Sequence, residues 1–211
     1  MTQAKICGLR TPQALAAAVA GQASHIGLMF FEKSPRNISA ADAAHLVEPI
    51  RGRGIRIVAV VVDPDDGMVD HLMAVLNPDL IQLHGHESVA RAGEIAARAG
   101  VGVIKALAVG SAHDLDTARA YEAVVDHLMF EAPASPERPG GNGVAFDWSL
   151  LAGRRFAKPW FLAGGLDPWN VADAIGLSGA PLVDVSSGVE RGPGLKDPAL
   201  ISAFLDAVAR A

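Results

Sequence analysis

Short runs rich in Val, Ile and Leu alternate along this chain with longer Ala-rich runs whose apolar positions recur at helical spacing. The pattern predicts strands over residues 4–8, 25–30, 55–62, 80–84, 102–106, 127–131, 160–163 and 182–186. Between and after them it predicts helices over 12–20, 40–51, 68–76, 88–99, 112–121, 168–175 and 198–209. Strands that read as near-continuous apolar runs, each followed by an amphipathic helix, imply a parallel sheet covered by helices. An open, doubly wound sheet of eight strands satisfies the same pattern. The even spacing of the units and the lack of a charged, edge-like strand favour closure into a single-domain (β/α)8 TIM barrel over residues 1–211. The one stretch that breaks the rhythm is 132–145, APASPERPGGNGVA, directly after the sixth strand. It reads as a loop over the barrel mouth, either a lid with glycine hinges or a plain surface loop.

The totals narrow the class further. With 211 residues the chain is near the lower end for such a barrel and too short for two. Half the residues are hydrophobic and 19% are charged, a globular balance. A formal net charge of −5 offers no basic stripe for nucleic acid. The aliphatic runs are too short to span a bilayer, and a single cysteine, Cys7, rules out an internal disulfide. These features point to a cytoplasmic protein with neither nucleic acid nor membrane as partner. The scattered surface apolar residues do not mark an oligomeric state.

In a β/α barrel the chemistry sits at the C-terminal ends of the strands. There the sequence offers Cys7, Arg36, Asp63, Gln82, His84, Lys105, Glu131, Gly164, Gly165, Asp184, Ser186, Ser187 and Gly188. The last two loops, Ala163-Gly164-Gly165-Leu166 and Ser186-Ser187-Gly188, read as a phosphate site. Glycines let backbone amides approach an anion, and serine hydroxyls add donors. Two tight turns that need glycine would leave the same trace. His84 and His86 form an HxH pair, but no further ligand is expected at the strand ends, so no metal is expected.

An ordered set of motifs runs through almost the whole chain. It comprises Lys5-Ile6-Cys7-Gly8-Leu9, Lys33-Ser34-Pro35-Arg36 with Ile38-Ser39, Gln82-Leu83-His84-Gly85, Gly140-Gly141-Asn142-Gly143 before Phe146-Asp147-Trp148, Ala163-Gly164-Gly165-Leu166, and Asp184-Val185-Ser186-Ser187-Gly188-Val189-Glu190. Together these closely resemble the phosphoribosylanthranilate isomerase family of tryptophan biosynthesis. The resemblance implies a cofactor-free Amadori rearrangement that needs one acid and one base. By similarity Cys7 is the base. A free thiol has a pKa of about 8.5, and Lys5, two residues earlier on the same strand face, is expected to lower it. By position Glu131 is the acid, although the family usually has aspartate there. The extra methylene shifts the carboxyl by roughly 1 to 1.5 Å, a misplacement that can cost about 100-fold in rate. Asp126 lies roughly 17 Å back along the strand, toward the wrong end of the barrel. The resemblance also implies that Arg36 meets the anthranilate carboxylate. Gln82 and His84 are expected to line the aryl pocket, and Asp184 to face the sugar. Lys105 leaves open a Schiff-base lyase or another sugar-phosphate isomerase or epimerase. The glutamate at 131 leaves open a non-catalytic phosphate-binding barrel.

Overall fold

The computed structural model describes residues 2–133 and 147–211. Eight parallel strands close into a barrel in sequence order: β1 (Gln3–Cys7), β2 (His25–Phe30), β3 (Arg56–Val61), β4 (Leu80–Leu83), β5 (Gly102–Ala108), β6 (His127–Glu131), β7 (Trp160–Leu162) and β8 (Leu182–Val185). The ring shuts where β8 pairs with β1, in the register Lys5 to Asp184. On its other side β1 sets Cys7 against Gly27 of β2. Six helices follow strands on the outside: α1 (Pro12–Ala20), α2 (Ala40–Val47), α3 (Asp66–Val75), α4 (Val89–Ala99), α5 (Ala112–Ala118) and α6 (Val171–Ser178). After β8 a short antiparallel hairpin, β9 (Glu190–Gly192) and β10 (Leu195–Lys196), precedes the last helix, α7 (Pro198–Arg210).

Local chemistry sets the helix starts. The side chains of Thr11, Ser39, Asp65 and Ser88 each accept a hydrogen bond from the backbone N–H three residues on. Each such cap is worth about 1 kcal/mol. The predicted helices over 40–51 and 112–121 both end as 3₁₀ turns, Glu48–Ile50 and Arg119–Tyr121. In the sixth unit the described residues hold only the 3₁₀ turn Trp148–Leu151.

The core has two shells, which explains why the strands read as continuous apolar runs. On β3, Ile57, Ala59 and Val61 pack outward under the helices, while Val58 and Val60 fill the barrel with Leu80, Ile104, Met129, Phe161 and Leu182. The N-terminal end is plugged by His25, whose ring packs edge-on against Phe161 with centroids 5.2 Å apart. Burial, and then the Lys5 charge, push its pKa down to about 3, so it is neutral. At the other end the interior turns polar. Lys5, Gln82, Lys105 and Asp184 are all buried there.

Candidate active site

Cys7 ends β1 with its thiol inside the barrel, 5% exposed. Gly27 on the neighbouring strand makes the room: a Cβ there would lie 2.9 Å from Cys7 Sγ and 3.1 Å from Lys5 Cε. Lys5 Nζ donates to Asp184 Oδ1 at 2.8 Å, both side chains being buried. Burial opposes the Lys5 charge, but Asp184 and Cys7 outweigh it and raise the Lys5 pKa. For Cys7 the balance goes the other way. Burial pushes the thiol up, Lys5 pulls it down, Asp184 pushes it up and Lys196 pulls it down, and the outcome lies above the ordinary value. Lys5 thus acts in the expected direction, but it does not win. Burial therefore favours the protonated form of the Cys7 thiol near neutrality.

Glu131 ends β6, half-buried, beside a glycine placed for it. A Cβ on Gly164, whose φ is +80°, would meet Ala132 N at 2.7 Å and Glu131 Cα at 3.3 Å. Glu131 Oε1 lies 3.1 Å from His84 Nε2, and His84 Nδ1 lies 2.9 Å from Gln82 Nε2. Gln82, His84 and Glu131 therefore form one chain from β4 to β6. Burial lowers the His84 pKa, but the Glu131 charge and hydrogen bond override it, so the ring is held above its usual value. Lys5 and Asp184 act on the same ring, which places the β1 and β8 residues in the same mouth. Gln82 Oε1 is buried and has no partner among the described residues.

The other predicted residues fall into two groups. Arg36 reaches the mouth over Gly8, whose φ is +80° and whose Cβ, were it present, would sit 2.7 Å from Arg36 Cδ. Its Nε and Nη2 donate to Glu190 at 2.7 and 2.8 Å. The loops after β7 and β8 are locked together, since a Cβ on Gly188 would lie under 2.5 Å from the Leu166 carbonyl oxygen. Gly164 and Gly165 both have positive φ. Ser187 and Gly188 form a 3₁₀ turn, and Ser186 Oγ donates to the Cys7 carbonyl at 3.3 Å. The glycines thus serve the packing of the two loops: left-handed turns at Gly164 and Gly165, and close approach of backbone to backbone at Gly188.

Lys105 is not available as a free amine. It donates to the Gly85 carbonyl and to Glu87 Oε2, each at 2.7 Å, and both side chains are buried. Glu87 in turn accepts from the backbone N–H groups of Asp63 and Gly85, and Asp63 accepts from His86 N. These residues fasten the loop that carries His84. The two histidines of the HxH pair diverge: His84 meets Glu131, whereas His86 is exposed. Among the described residues no three or more His, Cys, Asp or Glu side chains are grouped to hold a metal. Asp126 accepts from Val103 N at the start of β5, at the end of the barrel away from the mouth. The Gly140–Gly143 motif, Phe146 and most of the expected lid lie outside the described residues.

Two residues were missed by sequence reasoning. Lys196 on β10 is buried and donates to the Ser186 carbonyl at 2.8 Å, to Ser186 Oγ at 3.3 Å and to Glu190 Oε1 at 2.6 Å. Glu190 appears in a motif, but nothing in its spacing assigns it a partner. Burial raises the Glu190 pKa, yet Arg36 and Lys196 together hold it below the carboxylate norm. A groove of about 630 Å³ between α1 and α2, lined by Leu15, Val19, Ile38, Leu46 and Ile50, lies on the outside of the barrel. It contains none of these groups.

Known proteins share this architecture and sequence. The family profile of N-(5'-phosphoribosyl)anthranilate (PRA) isomerase matches residues 4–207. An N-(5'-phosphoribosyl)anthranilate isomerase of Caulobacter vibrioides is 65% identical over 99% of this chain and 96% of its own. One from Rhodospirillum centenum is 50% identical, with 96% of each chain covered. The crystal structure of phosphoribosyl anthranilate isomerase from Thermotoga maritima superposes with a TM-score of 0.90 at 32% identity, covering all of both chains. A structure of that enzyme class in complex with reduced 1-(o-carboxyphenylamino)-1-deoxyribulose 5-phosphate superposes at 0.85 with 30% identity, again covering both chains in full. Profile match, full-length relatives and barrel agree, and the chain belongs to the N-(5'-phosphoribosyl)anthranilate isomerase family.

Proposed function

We propose that Cys7 and Glu131 are the base and the acid with which this family member works. The reaction is the isomerisation of N-(5'-phosphoribosyl)anthranilate in tryptophan biosynthesis, an aldose–ketose interconversion. Glu131 gives a proton to the furanose ring oxygen. The anthranilate nitrogen pushes its lone pair toward C1, the C1–O bond breaks, and a Schiff base forms. Cys7 Sγ, as thiolate, removes the proton from C2, and the enolamine tautomerises to the ketone. Lys5 and Lys196 favour that thiolate, while burial and Asp184 oppose it. No cofactor enters these steps.

The observation that carries the assignment is the placing of a buried thiol and a half-buried carboxyl at the C-terminal ends of β1 and β6, on opposite sides of one mouth. Acid–base catalysis of ring opening and C2 deprotonation needs donors on two sides of a held sugar. The phosphate is assigned to the loops holding Gly164, Gly165, Ser186, Ser187 and Gly188. The aryl carboxylate is assigned to Arg36, the aryl ring to the side where Gln82 and His84 lie, and the sugar hydroxyls to the neighbourhood of Asp184. The partner is thus a small anionic substrate, with no role for nucleic acid or membrane. No helix among the described residues is long and apolar enough to cross a bilayer. A cytoplasmic location, read from the single cysteine together with the short aliphatic runs, belongs to the same proposal.

A continuous fluorescence assay with freshly prepared phosphoribosylanthranilate, run with EDTA, tests this reading. Turnover that falls at least 1,000-fold in Cys7→Ala, with the phosphate-bearing product analogue still bound, supports it. Full activity in Cys7→Ala removes the thiol from the reaction.

A further inference from the structure

Three buried or nearly buried side chains meet in the space between the loops after β1, β2 and β8. Glu190, with a side chain 3% exposed, accepts from Arg36 Nε and Nη2, from Lys196 Nζ and from Gly194 N. Its two carboxylate oxygens are thereby fully used. Arg36 is held by one edge of its guanidinium only, and among the described residues Nη1 donates to nothing. Lys196 carries the connection on to both oxygens of Ser186, whose hydroxyl reaches the carbonyl of Cys7. A guanidinium can serve two carboxylates at once, one on each edge of its planar fork.

We propose that Glu190 is the positioning residue of the carboxylate grip. It takes the Nε/Nη2 edge of Arg36, so that the Nη1 edge is what meets the substrate's aryl carboxylate. Through Lys196 it fixes that grip relative to the loop after β8. The inference rests on the reading of Arg36 as the carboxylate contact. It adds a specificity-determining residue that never touches the substrate. Arg36 and Lys196 contribute two positive charges and Glu190 one negative. Removing the negative charge would strengthen attraction for a carboxylate if long-range charge decided binding. It would weaken binding if the placing of the guanidinium decides. The two accounts differ in sign.

The test compares Glu190→Gln with the wild-type chain on two ligands, the reduced carboxyphenylamino product analogue and its phenylamino counterpart without the carboxylate. The expected result is a loss of about 10- to 100-fold in affinity for the first, the worth of a well-placed hydrogen bond to a charged group. The second should change by less than about three-fold, and KM for the substrate should rise more than kcat falls. Equal loss for both ligands would mean plain structural damage and would overturn the proposal, as would an unchanged or improved affinity for the carboxylate ligand. Arg36→Met separates the two levels of the argument. If it keeps the preference for the carboxylate ligand, the reading of Arg36 fails. If it abolishes the preference while Glu190→Gln keeps it, only the role of Glu190 falls. Should Glu190→Gln not fold, arginine side-chain NMR of the wild-type chain decides. Adding the carboxylate ligand should shift the Arg36 Nη1 resonance and leave Nε–H in place, and movement of Nε–H would refute the clamp.

Discussion

Glu131→Gln is the substitution that separates the acid from the scaffold around it. Gln keeps the length of the side chain and can still accept from His84 Nε2, now 3.1 Å from Oε1, but it has neither charge nor acidic proton. Loss of a general acid costs about 100- to 10,000-fold, so kcat should fall by that factor with the fold intact. The stability effect has a defined pH dependence. Glu131 is the principal influence raising the His84 pKa, against a burial penalty that lowers it. A group whose folded pKa is raised stabilises the fold fully below its unfolded value, about 6.5, and loses that contribution as pH rises through the folded value. The variant should therefore be less stable than the parent at pH 6, by about 1 kcal/mol for a pair whose side chains are each 26% exposed. The two should converge near pH 9. Urea melts at both pH values measure the second effect and the fluorescence assay the first. A variant that turns over at the parental rate would refute the acid assignment. A stability difference equal at both pH values would refute the ion pair with His84.

Cys7→Ala removes the one group whose folded pKa is pushed up by burial at the heart of the site. Beyond losing turnover, it should abolish the part of the parent's stability loss that sets in as pH rises past the ordinary thiol range, read from melts between pH 8 and 10. Ser187→Asp places a carboxylate in the loop assigned to phosphate and should raise KM about ten-fold or more, with little change in kcat; steady-state kinetics check this, and an unchanged KM moves the phosphate elsewhere. Lys105→Met leaves Glu87 as an uncompensated buried charge and should cost about 3 to 5 kcal/mol in urea melts. A melt unchanged from the parent would refute the buried pair.

The strands were legible because each is buried on both faces along most of its length and reads as a short, nearly continuous apolar run. The predicted and observed limits of β2 and β6 coincide, and the others differ by two residues or fewer at either end. Helices α3 and α6 were placed two or three residues off. At α6 the proline-containing turn Asp167–Asn170 is held by Asp167 and Asn170 before the helix begins, a local competition that apolar periodicity does not register. The hairpin of β9 and β10 went unseen because strands of three and two residues have no period to read. Lys196 was lost with it. The site was legible as a set of strand ends, since barrel topology alone gathers Cys7, Gln82, His84, Glu131 and Asp184. Their pairings were not. Lys5 with Asp184 and Arg36 with Glu190 join residues 179 and 154 positions apart, and only the register of β8 on β1 and the path of the second loop bring them together.

The lysines near the mouth show how an acidic chain can serve an anionic substrate. Lys5, Lys105 and Lys196 are each buried and each matched to a carboxylate, Asp184, Glu87 and Glu190. A buried pair of this kind is weak evidence for stability, because desolvation consumes most of the attraction. What each pair does here is geometric. Lys105 with Glu87 ties down the loop that carries His84, Lys5 with Asp184 seals β1 to β8 beneath Cys7, and Lys196 with Glu190 joins the Ser186 loop to Arg36. Once the pairs are counted as neutral, the surplus cation of the Glu190 cluster is the guanidinium of Arg36. On the proposed assignment, the remaining attraction for an anion falls to backbone N–H groups in the glycine turns after β7 and β8. Net charge over the whole chain says nothing about that local arrangement. On the proposed reading, a chain with a formal charge of −5 presents one guanidinium and a row of amides to a ligand bearing a carboxylate and a phosphate, while Lys5, Lys105 and Lys196 are already committed to carboxylates.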